Sequence, residues 1–295
     1  MKIAYFGLPL GALLLAADGH RLGPVVLAPV DAPGRRRLTR AYPHLLDASA
    51  LGSELEEQVD AALADERPDL LASWFWTRKL PSRWLSQPRG AIGVHPSLLP
   101  RHRGPNPYFW SIDAGDAVTG VTVHRLEAEY DTGRLLGAKS IPVGSRDAWQ
   151  LARALDRPSL EVLRTTVARL SQGEPVPEEE QDPALVTWAP EPSGDELRVD
   201  FGWTTERVLR RVRALSPTPG VALSVEGVEL FVTRAEAQRD YLTALLPGEA
   251  HISAELSLRT GDGAVRVTRA FFPELEEEAA TAADVAHLLK RLAQP

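Results

Sequence analysis

The sequence predicts an α/β protein in two parts: a Rossmann-like parallel sheet with helices on its faces, followed by a small β-barrel. Three observations carry that reading. Over residues 1–173 short apolar runs alternate with helix-like segments, the pattern of strands joined by helical crossovers. A stretch dense in proline and acid, GEPVPEEEQDPALVTWAPEPSG, then breaks the pattern and reads as a linker or a surface arm. Beyond it come several short strands separated by turns such as Gly261-Asp262-Gly263, which suits a small barrel. The expected organisation is a first domain at 1–173, a linker at 174–194 and a barrel-like domain at 195–295.

Taken in order, Ile3–Phe6 and Val25–Leu27 are apolar runs of strand length, with a helix opening at Gly11–Ala17 between them. Leu8–Ala17 follows Lys2 and has the look of a signal peptide, but a helix behind a buried first strand accounts for it better. Gly7-Leu8-Pro9 stands where a dinucleotide fold has its glycine turn. Pro9 and the absence of the later glycines break the G-x-G-x-x-G pattern and argue against a nicotinamide cofactor. Arg35-Arg36-Arg37 reads as a solvated loop rather than a phosphate site. Leu55, Val59, Ala62 and Leu63 recur at helical spacing, with Glu54, Glu56, Glu57 and Asp60 on the outer face.

Leu70–Phe75 is the next strand and runs into Trp74-Phe75-Trp76. Alternate strand side chains point to opposite faces, so the three rings cannot share one core. Ala138–Pro142 is a further strand. Asp147–Leu155 and Leu160–Leu170 read as two helices on either side of Pro158, because an interior proline removes a helix hydrogen bond. After the linker, the helix Thr205–Leu215 precedes strands at Val221–Val225, Val228–Thr233, Glu255–Arg259 and Ala264–Ala270. Glu276-Glu277-Glu278 reads as a solvated approach to a last helix, Thr281–Leu292.

Composition excludes several classes. The 295 residues are 44% hydrophobic and 25% charged, as in a soluble globular protein, and no run of about 18 apolar residues suggests a membrane span. The absence of cysteine removes disulfides, thiolate metal ligands and a thiol nucleophile. No cluster has convincing metal-ligand spacing, so no metal is expected. Without a targeting segment the expected location is the cytoplasm. A formal charge of −7 argues against a generally basic, nucleic-acid-binding surface.

Chemistry concentrates at Ala91–Leu136, AIGVHPSLLPRHRGPNPYFWSIDAGDAVTGVTVHRLEAEYDTGRLL. An apolar strand ends in His95-Pro96-Ser97, a second strand runs from Gly120 to Leu126, and Asp131-Thr132-Gly133 follows. Ligands of open α/β sheets sit at carboxyl strand ends, so His95 and Asp131 are the candidate catalytic pair. Pro96, Pro100, Pro105 and Pro107 stiffen the loop between. Arg101, His102 and Arg103 supply cationic donors suited to carboxylate or phosphate. His124 is read as structural.

HPSLLPRHRG, TGVTVHRL and DTG together resemble the N10-formyltetrahydrofolate-dependent formyltransferases, a family that includes methionyl-tRNA, aminosugar, hydroxyornithine and glycinamide ribonucleotide formyltransferases. The resemblance covers nearly the whole chain, is strongest over 91–137 and is loose after 240. It extends to the Ser216-Pro217-Thr218-Pro219-Gly220 turn and to a C-terminal domain like that of the methionyl-tRNA enzymes, which makes the expected barrel OB-like. It implies 10-formyltetrahydrofolate as donor and an Asn–His–Asp active site. The His matches His95 and the Asp matches Asp131, but Gly93 stands where the family has its Asn. The segment around Trp76, Arg78 and Leu80, with Glu129 and Tyr130, corresponds to the folate pocket. Ser97, Leu98, Arg101, Arg103 and Asn106 lie on the loop that bounds the donor and acceptor sites.

On that resemblance His95 donates to the formyl oxygen, while Asp131 orients it and manages protons. Gly93 has no side chain to donate, and loss of one oxyanion donor costs about 10²–10³ in rate. Three consequences stay open. A backbone N–H, a water, Asn106 or His102 replaces the amide; the pocket runs altered chemistry such as hydrolysis or another acyl transfer; or the chain binds a ligand without turning it over. A small amine is the expected acceptor. From 191 to 295 there are 12 Arg and Lys against 17 Asp and Glu, which disfavours transfer RNA. Arg207, Arg210, Arg211 and Arg213 cluster on one helix, but their spacing also suits an ordinary exposed face. Oligomeric state is not specified.

Overall fold

The computed structural model describes residues 1–48 and 53–293. The chain forms β1 (Lys2–Gly7), α1 (Pro9–Ala17), β2 (Arg21–Leu27), α2 (Arg35–Ala41), β3 (Leu46–Asp47), α3 (Ser53–Glu66), β4 (Leu70–Trp74), α4 (Ser82–Leu85) and β5 (Ala91–His95). There follow α5 (Pro107–Asp113), β6 (Val118–Arg125), β7 (Leu135–Pro142) and α6 (Ala148–Gln172). Contacts divide the chain into two compact units. The first is Met1–Pro105, Thr119–Ile141 and Ala154–Trp188; the second is Asn106–Val118, Pro142–Arg153 and the chain from Ala189 onward.

The first unit is built on a seven-stranded sheet of order β3-β2-β1-β4-β5-β6-β7. β1 to β5 pair in parallel, and β6 runs antiparallel to β5. The twofold period of a strand sends neighbouring β1 side chains to opposite faces. Ile3 and Tyr5 pack with Leu15, Ala72, Trp74, Leu163 and Val167, while Ala4 and Phe6 pack with Leu55, Val59, Leu71 and Trp84. Gly7 closes β1 at φ 138°, where an added Cβ would lie 1.8 Å from the Trp74 carbonyl oxygen, so no other residue fits.

Three expectations about local structure are corrected here. The 35–37 arginines are not a loop: they open α2, and Arg35 donates to Asp47 Oδ2 and to the Ala28 carbonyl, each at 2.8 Å. α6 is one helix that runs through Pro158. An interior proline costs about 3 kcal/mol, and burial of Leu155, Leu163 and Val167 outweighs it. Ser159 Oγ donates to Asp156 O at 2.7 Å beside the proline and accepts from Trp74 Nε1 at 2.8 Å. The third correction, the 276–278 acids, belongs to the second unit.

That unit continues with α7 (Thr205–Ala214), β8 (Val221–Val225), β9 (Val228–Gln238), β10 (Ala250–Ile252), β11 (Leu256–Arg259), β12 (Ala264–Phe272), β13 (Glu277–Ala279) and α8 (Ala282–Leu292). Its curled antiparallel sheet has the order β10-β11-β12-β9-β8, with β13 on β12. Of the acids at 276–278, Glu276 sits in a turn while Glu277 and Glu278 open β13, paired to Phe272 and Phe271, so the run is a strand and not a helix approach; all three side chains are exposed, as expected, and Glu278 pairs with Arg269 at 2.8 Å.

A buried ion cluster ties α5 to α7. Asp113, 4% exposed, accepts from Arg211 Nε at 2.7 Å and Nη2 at 3.1 Å. It also accepts from Arg207 Nη1 and Nη2 at 2.5 and 2.9 Å. Arg211 Nη1 reaches the carbonyls of Asp195, Glu196 and Arg198, and its guanidinium lies over Trp203 and Phe109. Burial pushes the Asp113 carboxyl up, but the hydrogen bonds from Arg211 and Arg207 outweigh it and hold the group below the usual carboxylate range. Asp113→Ala, which strands a buried guanidinium, is expected to destabilise the protein by about 3–5 kcal/mol in urea unfolding. Because the folded carboxyl titrates below the unfolded one, the contribution is full above about pH 4 and fades as pH falls further, so wild type and variant converge in acid.

Candidate functional site

The site grows from the antiparallel register of β5 and β6, which sets Gly93 opposite His124 and His95 opposite Thr122. Residues 93, 95, 122 and 124 therefore share one face of the sheet. His95 and His124 are both buried there, with ring centroids 6.5 Å apart and nearly perpendicular planes. The chain leaves β6 and returns at Leu135, and the turn between is pinched shut. Arg125 N donates to Arg134 O at 2.9 Å, and a Cβ on Gly133 would lie 2.1 Å from Arg125 O. Asp131 sits in this turn in the left-handed region, φ 56°, a conformation Asp tolerates better than most residues.

The turn places the Asp131 carboxylate between the two rings. Oδ2 is 3.5 Å from His95 Nδ1 and accepts from Gly104 N at 2.9 Å; Oδ1 is 3.6 Å from His124 Nε2. The other ring nitrogens meet backbone carbonyls: His95 Nε2 is 2.7 Å from His102 O and His124 Nδ1 is 2.8 Å from Arg125 O. A carbonyl only accepts, so each of these nitrogens carries its proton. His124 is driven to a pKa of about 4 by burial first; the Asp131 charge opposes this and the neighbouring His95 adds to it. At neutral pH His124 therefore presents an Nε2 lone pair to Oδ1.

The other residues singled out by sequence divide into groups. Ser97 is fully buried and shapes the loop, its Oγ donating to Arg101 O at 2.6 Å while its carbonyl accepts from Thr122 Oγ1 at 2.7 Å. Leu98 lies against Gly120, where a Cβ would come within 2.6 Å of Leu98 Cδ2. Arg101 is exposed. Arg103 donates through Nε and Nη2 to Gln181 Oε1 at 3.1 and 2.7 Å. Asn106, in the second unit, caps α5 by accepting from Phe109 N at 3.2 Å and donates to Glu191 at 3.0 Å. Both ends of its amide are in use.

Among the residues expected at a folate pocket, Leu80 is buried in the core with Trp84, and Arg78 is half-buried. Glu129 pairs with Lys79 at 3.6 Å, and Lys79 stands 5.9 Å from the Tyr130 ring, which is 49% exposed. The three aromatics split, but not by strand alternation, which would put Trp74 and Trp76 together: β4 ends at Trp74, and the left-handed Phe75 turns the chain so that Phe75 stays with Trp74 and Trp76 goes to the other face. Trp74 enters one face of the sheet and Trp76 packs edge-on against Phe6 on the other, while Phe75, at φ 55°, lies against Trp74. Trp76 Nε1 is buried with no hydrogen-bond partner among the described residues. Gly93 has no open space above it, since a Cβ would meet Leu126 Cδ2 at 2.6 Å and His124 Nε2 at 3.6 Å.

Two participants were not read from sequence. His124 was taken as structural, although the matched alternation of Gly93 and His95 with Thr122 and His124 was the available signal. The segment expected as a linker follows the site loops closely. Leu135 and Glu179 exchange backbone hydrogen bonds at 2.8 and 3.0 Å, Arg103 N donates to Thr187 O at 2.9 Å, and His102 N donates to Thr187 Oγ1 at 2.8 Å. Gln181 Nε2 donates to the carbonyls of Asp131 and Gly133 at 2.8 and 2.7 Å. Nothing in an acid-rich run marks one amide as special.

A mixed sheet whose His95 and Asp131 meet at the end of β5, with a separate antiparallel sheet in the second unit, is a two-part α/β architecture with one candidate acid–base site. The chain belongs to the formyl transferase family: residues 23–163 match the family's formyl transferase model and 193–284 its C-terminal domain model. It is 35% identical over 254 residues to the methionyl-tRNA formyltransferase of Clavibacter sepedonicus, covering 81% of this chain and 82% of that one. Its fold is similar to HypX of Aquifex aeolicus in complex with tetrahydrofolic acid, at TM-score 0.66 and 22% identity over 92% of this chain. This chain spans 44% of HypX. It is likewise similar to WlaRD, a sugar 3N-formyl transferase solved with dTDP and 5-N-formyl-THF, at TM-score 0.69 and 12% identity, over 90% of this chain and 96% of that one. The family expected from HPSLLPRHRG and DTG is the family found.

The buried His124 has a consequence for stability. Unfolded, it takes a proton near pH 6.5; folded, not until about pH 4. Acid therefore favours the unfolded chain across that window, and stability falls as pH drops from 6.5 to 4. His124→Gln is expected to flatten this part of the stability–pH curve, measured by chemical denaturation at stepped pH.

Proposed function

We propose that the protein transfers a formyl group from 10-formyltetrahydrofolate to an amine, with His95 and Asp131 as its catalytic residues. The observation that carries this is the His95–Asp131 pair at the sheet edge in a chain of the formyl transferase family. Donor binding is supported by Trp76 Nε1, a buried donor beyond the end of β4 that has no partner among the described residues, which suits an acceptor-rich heteroaromatic group. Bound there, the donor supplies the activated formyl carbon. His95 Nε2–H is the ring proton not aimed at Asp131, so His95 stabilises the developing oxyanion by exchanging the His102 carbonyl for the formyl oxygen. Asp131, 3.5 Å from the opposite ring nitrogen, orients the imidazole and is placed to take the proton that the attacking amine gives up as the formyl carbon passes to it and the folate nitrogen leaves.

Methionyl-tRNA is the acceptor that the similarity to methionyl-tRNA formyltransferases supports. A second reading, a small amine, is supported by the second unit's charge. Its acids outnumber its bases, and Arg207, Arg210 and Arg211 are committed to Asp113 and Glu206. The first domain at 1–173 and the barrel-like domain at 195–295 are proposed as the donor and acceptor halves, with a cytoplasmic location.

The test is mass spectrometry of products formed from 10-formyltetrahydrofolate with methionyl-tRNA and, separately, a panel of amino sugars and amino acids. Formylated product from either class supports formyl transfer and assigns the acceptor; none from any overturns it. His95→Ala is expected to lower kcat by about 10²–10⁴. Gly93→Asn alone crowds Leu126, so any gain from restoring the amide is expected in Gly93→Asn/Leu126→Ala, whose kcat should exceed that of Leu126→Ala.

A further inference from the structure

The segment 178–188 is more than a tether between two folded units. It runs beside both loops that supply the site, and at its centre one side-chain amide has every donor and acceptor in use. Gln181 Oε1 takes two hydrogen bonds from Arg103, and Gln181 Nε2 gives two to Asp131 O and Gly133 O, at 2.7 to 3.1 Å. These contacts close a ring. From Gln181 it passes through Arg103 to the adjoining His102, whose carbonyl holds His95 Nε2. From His95 Nδ1 it crosses to Asp131 Oδ2, and from Asp131 O it returns to Gln181.

The ring encloses two backbone positions that side-chain-bearing residues adopt at a cost. His102 and Asp131 stand at φ 58° and 56°, conformations worth about 1–3 kcal/mol each that persist only where surroundings over-determine them. Gln181 bonds the carbonyl of one and the chain neighbour of the other. Thr187 adds a bond to His102 N at 2.8 Å, and Glu179 pairs with Leu135 beyond the Asp131 turn.

We propose that Gln181 is a positioning residue of the formyl-transfer site, the brace that sets the distance between His95 and Asp131. It touches neither reacting group and acts through the two loops. Only an amide does this, since one end must accept from a guanidinium and the other must donate to two carbonyls. A carboxylate keeps the first half and loses the second. The inference rests on the formyl-transfer reading for its kinetic arm and on geometry alone for its spectroscopic arm.

The test compares Gln181→Ala, Gln181→Glu, Arg103→Ala and Arg103→Ala/Gln181→Ala in the full chain, with folding checked by thermal unfolding. Gln181→Ala and Gln181→Glu are each expected to lower kcat by about tenfold to a hundredfold, with KM for both substrates within about twofold. The double variant should be no slower than the slower of Arg103→Ala and Gln181→Ala, because the two side chains act as one unit. With ¹⁵N-histidine labelling, the ring signals of His95 should move in Gln181→Ala while those of His20 and His251 stay. Wild-type kcat in a folded Gln181→Ala, or unmoved His95 signals, overturns the proposal. If the wild type formylates nothing, the functional reading has failed and the His95 signals alone decide the role of Gln181.

Discussion

One carboxylate shared by two buried imidazoles is the constraint around which this site is built. Asp131 reaches both rings because its own backbone is left-handed and its turn is closed so tightly that Gly133 admits no Cβ. Remove either condition and the carboxylate leaves the sheet edge. The turn is possible because β6 runs antiparallel to β5 and delivers its end beside the start of β7. Sheet topology, turn sterics and site electrostatics are thus one problem with one solution.

The electrostatics follow from counting protons. Each imidazole gives a proton to a backbone carbonyl and turns its other nitrogen to Asp131. Two cations beside one buried carboxylate would leave an uncompensated charge, which a low-dielectric interior does not tolerate. Burial resolves this by keeping His124 neutral. That leaves His95, whose Nε2 meets the His102 carbonyl, as the ring joined to the proline-stiffened loop. The vacancy implied by Gly93 is filled from the same side: Leu126 and His124 close over it. Gly93, His124 and Leu126 are thus physically contiguous.

Much of this was legible in the sequence, for reasons that mark where it stopped being so. Strands β1, β4, β5 and β8 announce themselves because apolar runs of four to seven residues between turn formers have few other uses. His95 and Asp131 were found because motif and strand end coincide. Elsewhere a local rule lost to packing or pairing. Pro158 should break a helix, but its neighbours Leu155 and Leu163 bury too much surface for the chain to turn away. Glu276-Glu277-Glu278 is solvated as a charge run should be, yet Glu277 and Glu278 belong to a strand, because main-chain pairing to β12 asks nothing of side-chain charge. Gln181 and His124 matter through residues 48 to 78 positions away or across a strand pair, and no local window contains such information.

The arginines of the second unit show the same precedence of structure over apparent function. On sequence, Arg207, Arg210, Arg211 and Arg213 form a basic helix face fit for a polyanion. In the fold Arg211 spends its donors on Asp113 and three carbonyls, Arg207 on Asp113, Arg210 on Glu206 and Arg213 on Gly144 O. A guanidinium buried between Trp203 and Phe109 cannot release counterions to a phosphate backbone. Charge clustered in sequence is therefore no measure of charge available to a ligand. Arg207 and Arg211, held by Asp113, are the two that this helix does not offer to a ligand.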